Sequence, residues 1–143
     1  YNCDFEIAGI KYVSVEQYYM IKKAEFFYDL YVANQIMNET NSLKIKKLGK
    51  NNNIEGFDED KWQLFKNDFM FQACFAKFSQ NKDLTKKLLD TKNKFLVEAS
   101  PYDFYWGAGL SLNEPSILDN NFPGKNQLGI ILMEVRKKLV NSI

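Results

Sequence analysis

Apolar positions along this chain change their period several times, and each change predicts a new element. Phe5-Glu6-Ile7 and Ile10-Lys11-Tyr12 alternate around Ala8-Gly9, the pattern of a short hairpin. Ser14 is the predicted N-cap of a helix running to about Ala33 or Met37. Val15, Tyr18, Tyr19, Phe26 and Leu30 form one apolar stripe on it, and Met20, Phe27 and Tyr31 form a second beside the first. A helix apolar on most of its circumference is expected to be buried. Ser42 is placed to cap a short helix closed by Gly49, and a polar loop follows from Asn51 to Gly56. Asp58 opens a long predicted helix through Trp62, Phe65, Phe69, Ala73 and Ala76 to about Ser79, and Leu84 to Leu89 form another. Phe95-Leu96-Val97 reads as a strand stopped by Ser100-Pro101. From Pro101 to Lys125 the helical period fades among Gly107, Gly109, Pro115, Pro123 and Gly124. A last helix, beginning near Asn126, buries Leu128, Ile131, Leu132, Val135 and Leu139. The expected fold is α+β and mainly helical, one domain over 1–143 with a small β-sheet.

Composition narrows the chemistry. With no histidine in 143 residues, triads, metal sites and acid–base steps that need imidazole are excluded. Proton transfer is left to Asp, Glu, Lys, Tyr and water. Cys3 and Cys74 are far apart, with no third sulfur, so a zinc site is not expected, and Cys74 reads as a small core residue. A net charge of +1 gives no strong footprint for duplex nucleic acid. The lysine clusters Lys44, Lys46, Lys47, Lys50 and Lys82, Lys86, Lys87 read as solvated helix faces. No apolar run reaches spanning length and no signal peptide is visible, so a soluble, cytoplasmic protein with no membrane partner is the expectation.

Two places carry candidate chemistry. Glu16 and Lys23 stand seven positions apart; at about 100° per residue they return to within about 20° of one direction. Lys22 lies about 100° off that face. An acid and an amine on a buried helix are either a structural ion pair or a catalytic site, because an unpartnered charge is costly to desolvate. The second place is the irregular segment, where Asp103 lies among Tyr102, Phe104, Tyr105 and Trp106. Aromatic rings beside a carboxylate can hold a planar base by stacking, or can simply pin a loop to the core. Glu98 precedes Asp103 by five residues, close enough for the two to share acid and base roles.

In order along nearly the whole chain, the segments resemble the NADAR (NAD- and ADP-ribose-associated) family, including its YbiA-like members. SVEQYYMIKKA (Ser14 to Ala24) is similar to the family's SVEQY…KA helix, and LGK (Leu48 to Lys50) to its LGR. AKFSQN (Ala76 to Asn81) resembles KF.QN, followed by LL.T at Leu88, Leu89 and Thr91. LVEASPYDFYWGAGL (Leu96 to Leu110) resembles LVEAS..D..WG.GL. GKNQLG (Gly124 to Gly129) and LMEVR (Leu132 to Arg136) resemble the family's G.N.LG…LM.VR ending. Two departures stand out. The family's arginine is Lys50 here, which keeps the charge but loses the bidentate fork. The family's aromatic segment before the hairpin is expected to lie just ahead of Tyr1.

The resemblance implies hydrolysis of a ribosyl C–N bond. No cofactor and no metal are expected, and because the chain has no histidine and no cysteine cluster for a transition metal, activity is expected to survive a chelator. Removal of ADP-ribose from ADP-ribosylated guanine, in DNA or nucleotides, is the leading expectation, with an ADP-ribosyltransferase as its counterpart. Cleavage of phosphoribosylated amino-pyrimidines of riboflavin synthesis is the alternative, as is a module that binds ADP-ribose or NAD without cleaving it. By position, the resemblance carries over Glu16, Lys23, Glu98, Asp103, Trp106 and Asn126 as functional residues. From the chemistry of these and their neighbours, Glu16, Lys23, Glu98 and Asp103 are expected to be catalytic, and Trp106, Gly107, Asn126, Lys50 and Tyr19 to bind substrate. Breaking such a bond builds oxocarbenium character that a carboxylate stabilises, and the leaving base needs a proton. A desolvated lysine offers attack at the anomeric carbon and a Schiff base, or else an electrostatic clamp.

Overall fold

A computed structural model of the chain describes residues 3–114 and 121–142. Among these are a two-stranded antiparallel sheet and seven α-helices, which is the mainly helical α+β class that the sequence predicts. The chain forms two compact units, one up to Leu84 and one from Thr85. No helix among the described residues is long and apolar enough to cross a membrane.

In the first unit, β1 (Phe5–Ile7) pairs with β2 (Ile10–Tyr12) in the register Phe5 to Tyr12, Glu6 to Lys11 and Ile7 to Ile10. Ala8 and Gly9 turn the hairpin with φ of 53° and 80°, the doubly left-handed turn that matches strand twist. The free edge of β1 is covered by a side chain. Gln80 accepts from Glu6 N at 2.8 Å and donates to Glu6 O at 2.7 Å, as a neighbouring strand would.

Helix α1 (Val15–Phe26) is the centre of this unit and packs against α2 (Leu30–Met37), α3 (Ser42–Leu48), α5 (Lys66–Gln80) and β2. Ser14 caps it by accepting from Gln17 N at 3.1 Å. Gln17, buried, accepts from Val13 N at 2.8 Å and donates to the carbonyls of Ile36, Met37 and Glu39, which ties the start of α1 to the end of α2. Tyr18, Ile21, Ala24, Val32, Ile36 and Ile45 belong to the core that results.

The structure divides the single helix expected from Ser14 to Met37. Asp29 N bonds Ala24 O and Tyr28 N bonds Glu25 O, both at 2.9 Å, with Tyr28 at φ 60°. That is a Schellman stop with tyrosine where glycine is usual, so composition gives no warning of it. Asp29 then caps α2 through Val32 N. After the stop the apolar stripes no longer point inward: Leu30 is 64% and Tyr31 75% exposed. The second long helix is likewise two, α4 (Glu59–Trp62), capped by Asp58, and α5. Asn41 rather than Ser42 caps α3, accepting from Lys44 N.

In the second unit, α6 (Lys82–Asp90) leads across the unit boundary into a looped stretch and then α7 (Gln127–Asn141), in which Ile131, Val135 and Leu139 are buried. Leu128 and Leu132, expected in the core, are half-buried. The strand expected at Phe95–Val97 is absent, because its backbone groups find a side chain instead of a neighbour. Asn126 donates to Leu96 O at 2.9 Å and accepts from Glu98 N at 2.8 Å. Residues 115–120 of the irregular stretch, Pro115 included, lie outside the described residues.

Gly49 closes α3 as expected, but at φ −89° rather than in the left-handed region. Its constraint is proximity, since a Cβ there would overlap the Met20 side chain of α1. Gly49→Ala should therefore lose about 1–3 kcal/mol in urea unfolding, and Met20→Ala in the same chain should recover part of it. A loss under about 0.5 kcal/mol would show that Met20 moves aside freely.

Candidate active site

Lys23 sits on the inward face of α1 and is 5% exposed. Its Nζ donates to Asn51 Oδ1 at 2.8 Å, in the 3-10 turn Asn51–Asn53 that follows α3. The rings of Tyr19 and Phe57 lie 5.9 and 5.8 Å from Nζ. Tyr19 is itself held by Trp62, whose Nε1 donates to the Tyr19 hydroxyl at 3.0 Å. Burial pushes the Lys23 amine down to about 8; Glu59 and Glu16 oppose the shift, and Lys66 adds to it. At pH 7 roughly one such amine in ten is neutral, against about one in 3,000 at the ordinary lysine value. Lys66, also buried, is paired with Glu59 at 3.2 Å.

Glu16 is half-buried, and burial raises its pKa against the pull of Lys46 first and Lys23 second. Glu16 and Lys23 share a helix face as the spacing predicts, but they form no direct ion pair. Seven residues climb about 10 Å along a helix axis, so the two backbone positions stand two turns apart, although each side chain still feels the other's charge. The structure thus replaces the expected pair with two separate arrangements, an amine held by an amide and a carboxyl held by its surroundings. Lys22 points away and pairs with Glu25 at 3.1 Å. Lys50 is exposed and precedes Asn51 directly, at the N-cap of the 3-10 turn.

The remaining predicted residues meet in the second unit, in one interlocked group of loops. Asp103 Oδ1 accepts from Tyr105 N at 3.0 Å and Trp106 N at 2.8 Å, folding the aromatic segment into a turn. Tyr105 and Trp106 pack edge to face at 4.7 Å, with Trp106 half-buried. The carbonyls of Phe104, Tyr105, Trp106, Gly107 and Ala108 accept from the amides of residues 124–128, so this turn caps α7. Gly107 is needed because a Cβ would come 2.7 Å from Ser100 Cβ and 2.9 Å from Asp103 O. The Glu98 carboxylate makes no hydrogen bond or ion pair among the described residues. Asn126 is 1% exposed and its amide is spent on Leu96 and Glu98, the geometry of a residue that positions a loop.

Asn51, Phe57, Glu59 and Lys66 complete the surroundings of Lys23, and sequence reasoning missed all four. Asn51 was hidden in a polar loop, although its place directly after LGK was a usable signal. Glu59 and Lys66 meet across the break between α4 and α5, which no helical projection shows.

Asn126 holds φ at 51° while its amide joins two backbone groups. Asn126→Ala should cost roughly 2–4 kcal/mol, from two unmet backbone groups and a strained left-handed alanine. Chemical denaturation checks this, and a change within about 0.5 kcal/mol would remove Asn126 as the organiser of the loops.

The chain's relationships match this architecture. The profile of the NADAR domain family matches residues 1–140. The chain is 43% identical over 129 residues to N-glycosidase R617 of Acanthamoeba polyphaga mimivirus, covering 90% of this chain and 75% of the viral protein. It is 40% identical over 131 residues to protein irg-1 of Caenorhabditis elegans, covering 91% of this chain and 62% of that protein. The NMR structure of the E. coli protein YbiA superposes with a TM-score of 0.78 at 26% identity, over 98% of this chain and 74% of that one. On these grounds the chain belongs to the NADAR domain family.

Proposed function

We propose that this protein removes ADP-ribose from ADP-ribosylated guanine, and that Lys23 performs the bond exchange. The enzyme is a hydrolase acting on N-glycosyl bonds, as its relatives are named. The observation that carries the role of Lys23 is its buried amine, lowered to about 8 and aimed by Asn51. An amine partly neutral at pH 7 is a nucleophile; a solvated lysine is not.

The neutral amine attacks the anomeric carbon as the bond to guanine breaks, and the departing base takes up a proton. Glu16, whose carboxyl burial keeps protonated to higher pH than usual, supplies that proton. The nitrogen lone pair of the new ribosylamine opens the sugar ring to a protonated Schiff base, and the ring oxygen gains a proton. Water then adds to that carbon, Lys23 leaves as the amine, and the sugar closes again as free ADP-ribose. Glu16, left as a carboxylate by the first step, takes the proton from that water. Guanine as the leaving group rests on the family resemblance of the chain. Tyr19, whose ring lies 5.9 Å from the amine, and Lys50, which directly precedes Asn51, serve as contacts for the sugar and phosphates.

Lys23→Ala should lower turnover of ADP-ribosylated guanosine roughly 100-fold or more while the fold is retained. Lys22→Ala, which removes the pair with Glu25 and a contact with the Tyr18 ring, should stay within about threefold of the parent. Because the neutral amine is the reacting form, the rate should rise with pH through about 8 and level off above it. Borohydride added during turnover should trap a ribosyl adduct on the peptide carrying Lys23. A rate that falls above pH 8 with no adduct would make Lys23 a cationic clamp. Full activity of Lys23→Ala would remove it from the reaction. Turnover of a phosphoribosylated amino-pyrimidine in preference to ADP-ribosylated guanosine would reassign the substrate.

A further inference from the structure

We infer that the second unit carries a separate phosphate-binding groove, of a size to take one nucleotide. The groove has a volume of about 340 Å³ and lies between the turn after α6 and the C-terminal half of α7. Lys92, Asn93, Arg136 and Lys137 supply its polar lining, while Met133 and Val140 supply an apolar wall. None of these lining residues is acidic.

Arg136 is the built part of the site. It is 9% exposed, and its Nη1 donates to Thr91 Oγ1 at 2.8 Å and to Lys94 O at 2.9 Å. Those two bonds fix the plane of the guanidinium. Its Nε and Nη2 have no acceptor among the described residues, yet no buried side-chain donor there is both sealed and unpaired. Both donors therefore reach accessible space, and a fixed guanidinium edge matches a phosphate in the two-pronged way a lysine cannot. Lys92 adds a second cation and holds φ at 53°. That conformation closes α6, through the bond from Lys92 N to Leu89 O. Lys137 is exposed on the next position of α7 and adds a third cation.

Helix polarity alone does not account for the arrangement. Cations near a helix C-terminus complement its dipole wherever they point, and Lys138 does so without lining the groove. Arg136 is turned instead onto the loop at 91–94, where the groove opens. The volume is at the low end for small-ligand sites, enough for a mononucleotide unit. The phosphate would lie on Arg136, Lys92 and Lys137, and the sugar and base along Met133 and Val140. A free nucleotide and one unit of a strand present the same chemistry to such a groove.

The test uses the ¹⁵N-labelled chain titrated with AMP, adenosine or an eight-nucleotide thymidine strand, read at the amides of Asn93, Arg136 and Lys137. AMP should give saturable shifts there, with adenosine at least about tenfold weaker for want of the phosphate. Lys137→Glu should weaken AMP binding about tenfold with an unchanged melting temperature, whereas Lys138→Glu should change it less than about twofold. Arg136→Lys, which keeps the charge but not the fork, should also weaken it. Tighter binding of the strand than of AMP would assign the groove to polynucleotide, and the reverse would assign it to free nucleotide. Lys23→Ala should leave these shifts in place, so the groove stands or falls apart from the catalytic reading. No saturable shift with any probe, equal losses in the two charge reversals, or adenosine binding as well as AMP would overturn the proposal.

Discussion

Desolvation of the Lys23 amine is the constraint that the first unit is arranged around. An ammonium taken from water without an ion partner is costly, and the protein meets that cost in two ways. It lets the amine lose its proton near pH 8, and it supplies one well-placed acceptor, Asn51 Oδ1. Both depend on neighbours that are themselves fixed. Tyr19 is anchored by Trp62, and Trp62 packs against Phe26 and Phe69 at 5.5 Å. Glu59 and Lys66 pair with each other, and their pulls on the lysine are opposite in sign.

The same logic explains why the short motifs read as they do. In SVEQ, serine caps α1, glutamine binds the end of α2 to its start, and only the glutamate is left for chemistry. In LGK, the glycine lets the end of α3 approach Met20, and that approach brings the next residues to Asn51 and so to Lys23. In the second unit Asn126 and Asp103 spend their polar atoms on backbone and shape the loops that present Trp106 and Glu98. Much of what looks functional in these motifs is scaffolding.

The hairpin, the mainly helical class and the shared face of Glu16 and Lys23 were legible because each follows from local period or turn chemistry. The break at Tyr28 was not, since a left-handed tyrosine carries no composition signal and the apolar residues continue past it. The false strand at Phe95–Val97 has a related cause: the apolar run is real, but an asparagine about thirty residues later supplies the hydrogen bonds a strand would need. Sequence spacing also placed Glu16 and Lys23 in one direction without registering the two helical turns between them. Contacts made across chain breaks, such as Lys23 with Asn51 and Glu59 with Lys66, lie beyond any periodic pattern.

The most direct test of the account is the protonation of Lys23 itself. Lysine side chains labelled with ¹³C at the ε carbon can be followed by NMR across pH 6 to 12, with Lys23→Arg to assign the resonance. One lysine should titrate near 8 and vanish in that variant. A Lys23 resonance that titrates near the ordinary lysine value of about 10.4 would contradict a desolvated amine and, with it, the chemistry assigned to this site.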